Sequence, residues 1–284
     1  MRLFSGNNPS RDERTGTRVF VWIVVIFGGG YLMLLLAVVL LQRGMVYHPT
    51  RHVFATPPMS YEDVKLTAAD GPELAAWFVP AEQAKATVLY CHGNGGNRAH
   101  RVDTIAQYHA LGLSTLMFDY RGYGGSEGTP SEEGTYLDAE AAWRHLTEDR
   151  KLRPGAIIVV GRSLGSAIAT RLAAEHSPGA LSVEAGFTSA VDLGKRMFPY
   201  LPVSRLVRYR YPTLEHIKRV RCPVLVVHSP DDGVIPFEHG QRLFEAACEP
   251  KEFVQISGGH MEGFVQPGTA YPAELNRFIA EHIP

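Results

Sequence analysis

Cysteine is scarce in this chain of 284 residues: there are 3, too few and too scattered for a disulfide framework. Cys91 closes an apolar run, Cys222 precedes another, and Cys248 falls in a helical stretch, so all read as buried or half-buried thiols. Excess charge is missing too. The 28 Lys and Arg against 29 Asp and Glu leave a net charge of −1, which gives no reason to propose nucleic acid as a partner. No His, Cys, Asp or Glu cluster has metal-ligand spacing, so no metal is expected. Internal repeats and low-complexity tracts are absent, and one domain of about 230 residues with an N-terminal appendage suits the length.

The last absence is local. Residues 19–41 carry no charge, and about 23 positions suffice to cross a hydrocarbon core at ~1.5 Å per residue. A cleaved signal peptide has an apolar stretch of only about 7–15 residues and a small-x-small cleavage site. This stretch is longer and leaves through Gln42-Arg43-Gly44, which favours a retained anchor. Gly28, Gly29 and Gly30 weaken the helix centre, which is tolerable in a membrane. Arg2, Arg11, Arg14 and Arg18 precede it, against Arg43 and Arg51 after it. The positive-inside tendency then puts the N-terminus in the cytoplasm and the rest of the chain on the far side.

What the chain does have is a run of β-branched residues, 157–160, leading straight into Gly161-Arg162-Ser163-Leu164-Gly165 and a helical stretch, 164–175. A strand, a tight turn with serine at its apex and a helix make a nucleophile elbow, which needs small residues flanking the serine. The turn lifts the hydroxyl above the sheet and aims a helix N-terminus at it. A serine hydroxyl is a poor nucleophile at neutral pH and needs a base, with a carboxylate to orient that base. Both follow in chain order. The apolar strand 223–228 ends in Asp231-Asp232-Gly233, and the strand 252–256 ends in Ser257-Gly258-Gly259-His260. In α/β sheets the carboxyl edge is where sites are built. His260 is the expected base and Asp232 the expected acid, with Asp231 as the turn-forming alternative. A surface-loop histidine is the bland reading of His260; its place after a strand argues against it.

A tetrahedral oxyanion needs two donors. The strand 87–91 runs into His92-Gly93-Asn94-Gly95-Gly96-Asn97, a glycine-rich loop through which backbone amides can approach an acyl oxygen. The backbone N–H groups of Asn94 and Leu164 are the expected oxyanion hole, with His92 shaping the loop. A phosphate cradle is the competing reading, but there is no Gly-Lys-Ser/Thr ending and no Gly-x-Gly-x-x-Gly spacing. No cofactor is expected.

From about residue 60 to the end the chain resembles the α/β-hydrolase superfamily. More narrowly it resembles the serine-aminopeptidase-like branch, whose members include membrane-anchored acyl hydrolases. The likeness is carried by His92-Gly93-Asn94, by Asp119-Tyr120-Arg121-Gly122-Tyr123-Gly124-Gly125-Ser126-Glu127-Gly128, by the serine elbow, by Asp232 and by Gly259-His260. The 119–128 segment is by this resemblance a structural loop beside the site. One departure is His228-Ser229, where the family usually has His-Gly.

The expected architecture is an α/β-hydrolase fold: a mostly parallel, doubly wound sheet with a short lid, preceded by one transmembrane helix. Residues 1–18 form a cytoplasmic tail, 19–41 the transmembrane helix, 42–60 an extended linker of low internal order, and 61–284 the hydrolase domain. Residues 64–67 and 74–79 read as an edge hairpin, and helices alternate with strands from there. The lid, about 188–221, is short, with two small helices expected, and is basic and aromatic. It can rest on anionic headgroups or be an ordinary solvated face. The resulting reading is a membrane-anchored serine hydrolase of esters or thioesters with acyl or lipid-like substrates. An aminopeptidase-like amidase, for which an acidic pocket would be needed, and a non-catalytic binding protein on the same fold are the alternatives.

Overall fold

A computed structural model of the chain describes residues 11–266 and 268–283. The first ten residues of the expected tail lie outside those described. The chain divides into two compact units, residues 1–42 and 43–284. Helix α1, Arg11–Val46, is one continuous helix of 36 residues, longer than the apolar stretch at both ends. Charge ends a membrane-crossing pattern but not a helix. The helix stops just before His48, because the proline at 49 disfavours helical backbone at the residue ahead of it. Its Phe20–Val46 portion has a mean hydropathy of 2.7 and is long and apolar enough to cross a membrane.

The second unit is built on eight strands: β1, Glu62–Thr67; β2, Glu73–Val79; β3, Ala86–Cys91; β4, Leu113–Phe118; β5, Ile157–Arg162; β6, Ala180–Glu184; β7, Val224–His228; and β8, Lys251–Gln255. They lie in the order β1-β2-β4-β3-β5-β6-β7-β8. Strands β3 to β8 run parallel to one another, while β2 is antiparallel to both β1 and β4. All residues of β3, β4, β5, β6 and β7 are buried, as near-continuous apolar runs demand when helices cover both faces.

Alternation along each strand feeds two cores. Leu89 and Cys91 join one cluster, with Ala139 and Trp143 of α3, Glu132–Arg144, Ile168 and Leu172 of α4, Leu164–Glu175, and Ile217 of a lid helix. Val88 and Tyr90 join the other, with Ile105 and Tyr108 of α2, Val102–Ala110, and residues of the C-terminal helix. The sheet is therefore doubly wound, as expected.

The lid holds three short helices, α5, Ala190–Met197, α6, Val203–Leu206, and α7, Thr213–Ile217. Its excursion is closed at the base by backbone bonds from Ala190 N–H to Arg210 O and from Leu214 N–H to Thr188 O, both 2.9 Å. Met197 and Tyr200 are exposed at its tip. The remaining helices are α8, Phe237–Ala246, which ends before Cys248 and leaves that cysteine in a loop, α9, Glu262–Val265, and α10, Tyr271–His282.

Residues 47–60, expected as a linker of low internal order, are extended but tied down. His48 and Pro49 pair in parallel with Gly95 and Gly96 as a separate two-stranded sheet. Tyr47 is buried, and its hydroxyl lies 2.7 Å from that of Tyr211. The reason is local: a glycine-rich loop leaves backbone groups that a passing extended chain can satisfy.

Candidate active site

Three strand ends meet at the carboxyl edge of the sheet. At the tip of β5, Ser163 has φ 54° and ψ −119°, a conformation that costs a non-glycine residue on the order of 1–3 kcal/mol and persists only where its surroundings enforce it. Here they do. A Cβ on Gly161 would strike Gly165 O and Ala169, and one on Gly165 would strike the carbonyls of Cys91 and His92. Both glycines are thus demanded by backbone packing, as the elbow reading expected. The Ser163 N–H is held by Glu184 O at 2.9 Å.

His260 sits past β8, just ahead of α9. Its Nε2 lies 3.0 Å from Ser163 Oγ and its Nδ1 2.7 Å from Asp232 Oδ2. Asp232 is the partner, and its Oδ1 accepts from the N–H groups of Val234 and Ile235 at 2.8 and 2.9 Å. Burial would raise this carboxyl, but the bonds from His260, Ile235 and Val234 outweigh it and hold the group below the usual carboxylate range. Asp231 points elsewhere: its Oδ2 accepts from Gly258 N–H at 3.2 Å. With Ser229 Oγ donating to Gly258 O at 2.6 Å, it ties the acid loop to the histidine loop.

The loop after β3 runs alongside. A Cβ on Gly93 would lie 3.5 Å from Ser163 Cβ, so this loop abuts the serine. His92 is fully buried and its Nδ1–H donates to Gly93 O at 2.7 Å; burial, then the nearby Arg101 charge, push its pKa down to about 3. The peptide between Gly93 and Asn94 is planar and trans, so holding its carbonyl also aims the Asn94 N–H in the opposite direction. The Leu164 N–H stands in the first turn of α4, where no intrahelical acceptor exists. Among the described residues neither amide donates to a protein acceptor.

Arg162 and Glu184 had no role in the sequence reading. Arg162, the neighbour of Ser163, is buried with its Nε on Glu184 Oε2 at 2.7 Å and its guanidinium 4.2 Å over the Phe264 ring of α9. Glu184 Oε1 also accepts from Tyr271 and, at 3.3 Å, from Tyr108. This cluster joins the serine strand to the helix that follows His260. Tyr120 OH donates to His92 O at 3.0 Å, and Tyr123 OH to Asn94 O at 2.9 Å, so the 119–128 segment buttresses the loop. A buried Arg next to a nucleophile and a Glu ending an apolar strand were the available signals, but nothing in one sequence pairs them.

A cavity of about 200 Å³ lies at the base of the lid, lined by Thr188, Asp192, Arg210 and Glu215 among others, and none of the serine, histidine or aspartate above lines it. Donor atoms of Glu252, Glu281 and His282 lie within 4.8 Å of one another, but Arg277 pairs with both carboxylates.

A doubly wound sheet in this order, with a serine elbow after β5, an acid after β7 and a histidine after β8, defines a hydrolase-type architecture. Residues 86–185 match the family model described as the alpha/beta hydrolase fold. The Arabidopsis thaliana alpha/beta hydrolase domain-containing protein WAV2 is 31% identical over 91% of this chain and 94% of its own. The chain belongs to the α/β-hydrolase superfamily. The Danio rerio lysophosphatidylserine lipase ABHD12 is 30% identical over 72% of this chain and 61% of its own. Among solved structures, the Pyrococcus furiosus esterase Pf2001 overlays with a TM-score of 0.71 at 21% identity, covering 84% of this chain and all of that one, a likeness of fold.

Proposed function

We propose that the protein is a serine hydrolase that cleaves carboxylic ester or thioester bonds of acyl, lipid-like substrates from a membrane tether. The observation that carries this reading is the unbroken relay of Ser163 Oγ, His260 and Asp232, at 3.0 and 2.7 Å. Ser163 Oγ attacks the acyl carbonyl as its proton passes to His260 Nε2. Asp232 holds the Nδ1–H and stabilises the imidazolium. The N–H groups of Asn94 and Leu164 receive the oxyanion, a service worth on the order of 10²–10³ in rate per donor. On collapse the leaving alcohol or thiol takes the proton from His260. Water, deprotonated by His260, then attacks the acyl-enzyme and frees the acid. No step needs a cofactor.

The lipid-like substrate class is supported by the short lid with its exposed Met197, Phe198 and Tyr200, and by the printed name of the lysophosphatidylserine lipase relative. The apolar Phe20–Val46 helix supports the tether, with the N-terminus in the cytoplasm and the hydrolase domain on the other side. A fluorophosphonate probe applied to the membrane fraction tests the chemistry. Wild type should be labelled and Ser163→Ala should not; equal labelling of both would sink the reading.

A further inference from the structure

The oxyanion loop does not stand on the sheet alone. Its Gly93 side is fixed by the His92 ring. Its Asn94–Asn97 side is held by Tyr123 OH on Asn94 O, by Arg101 Nη2 on Gly95 O at 2.7 Å and, at more points, by residues 46–52, the last residue of the apolar helix and the six that follow it. Asn94 Nδ2 donates to Val46 O at 3.1 Å, and His48 N–H donates back to Asn94 O at 3.1 Å. Thr50 N–H donates to Gly96 O at 3.2 Å. Asn97 Nδ2 donates to Thr50 O at 3.0 Å and His52 O at 2.8 Å. This strap is anchored in turn to the body of the domain: Tyr47 OH meets Tyr211 OH, which meets Thr135 Oγ1 at 2.9 Å, and Gly124 N–H donates to Thr50 O at 2.9 Å.

Glycines 93, 95 and 96 give the loop little intrinsic stiffness. Asn94 has its carbonyl bonded to both His48 N–H and Tyr123 OH and its side chain bonded to Val46, so the strap contributes two of the three bonds that set its orientation. We propose that residues 46–52 are a positioning element of the active site, holding the Asn94 amide where the oxyanion forms. The segment is thereby part of the catalytic construction and not a passive spacer. The proposal rests on the hydrolase reading above.

Asn97 offers a clean test, because its two side-chain atoms do separate jobs. Oδ1 caps the following short helix by accepting from Ala99 N–H at 2.9 Å, while Nδ2 grips the strap. Asn97→Asp keeps the cap and turns the gripping donor into an acceptor facing two carbonyls. Asn94→Ala removes the bond to Val46 and keeps the backbone amide. In the full-length protein in detergent micelles, hydrolysis of p-nitrophenyl butyrate by either variant should show kcat reduced about tenfold or more, since misplacement by ~1 Å costs up to 10²-fold. KM should stay within about twofold, because the ground-state carbonyl asks little of the hole. Affinity for an alkyl trifluoromethyl ketone, whose serine adduct carries an oxyanion, should fall in parallel with kcat. Leu66→Ala, a core truncation in β1, supplies a control of lowered stability with unchanged kcat.

Variants that lose thermal stability but keep wild-type kcat and ketone affinity would overturn the proposal, as would a loss confined to KM. If wild type itself neither hydrolyses the ester nor labels with a fluorophosphonate, the hydrolase reading fails and takes the positioning role with it.

Discussion

Two adjacent carboxylates, Asp231 and Asp232, look interchangeable in the chain and are put to different uses by the fold. Asp232 faces His260 and accepts two backbone N–H bonds with its other oxygen, so its charge is both oriented and retained. Asp231 reaches the backbone of Gly258. Asp232→Asn should therefore cost on the order of 10⁴ in kcat, the scale expected when a triad base loses its orienting charge. Asp231→Asn should cost less than about tenfold, since an amide oxygen still accepts from Gly258. Ester-hydrolysis rates of the two purified variants decide this, and the reverse order would refute the assignment. Both carboxylates, the histidine and the serine were legible from chain order and strand ends alone. The choice between 231 and 232 depends on how the chain bends after the strand. In the structure the bend is made by the Asp232 side chain itself, while Gly233 has no left-handed φ.

At the scale of elements, the strands were readable because burial on both faces leaves almost no polar positions inside them: β3, β5 and β7 appear within a residue or two of their expected limits. What escaped reading were elements defined by partners. The two-residue pairing of His48-Pro49 with Gly95-Gly96 has no periodicity, and its strands lie far apart in the chain. In the lid two small helices were expected and three form; they are short, two of them starting after prolines, and offer no repeating apolar face long enough to count them by. Helix α1 was legible in its apolar part and not in its ends, where it runs on through charged residues that no membrane-crossing pattern includes. The proposed orientation rests on four arginines before it against two after. Protease added outside intact cells should digest the hydrolase domain and spare an N-terminal epitope tag. Protection of the hydrolase domain with accessibility of the tag would reverse the orientation.

Across the whole molecule, buried and half-buried histidines link stability to pH. The pKa of His92 is held down to about 3, first by burial and then by Arg101, and that of His216 to about 4, by burial and then Arg171. Unfolding returns both to about 6.5, so below that pH the unfolded chain binds more protons and stability falls as pH falls. The fully buried His92 can contribute up to ~1.4 kcal/mol per pH unit in this window, and the half-buried His216 contributes less because solvent screens it. The thermal midpoint of the detergent-solubilised protein should drop steadily from pH 6.5 to 4.5, and His216→Gln should make the drop shallower. A midpoint indifferent to pH over that range would refute the linkage. The lid carries a consequence of another kind. Its excursion is stitched shut by the Ala190–Arg210 and Thr188–Leu214 backbone bonds, and it leaves the sheet after β6, not after the strands that end at Ser163, Asp232 and His260. A loop closed at its own neck behaves as a cassette. Its length and lining can drift at little entropic cost, since closure penalties grow only slowly with length. Selection can then retune what enters the site without rebuilding what happens there, and grafting residues 190–210 from a relative is a rational route to new specificity on an unaltered relay.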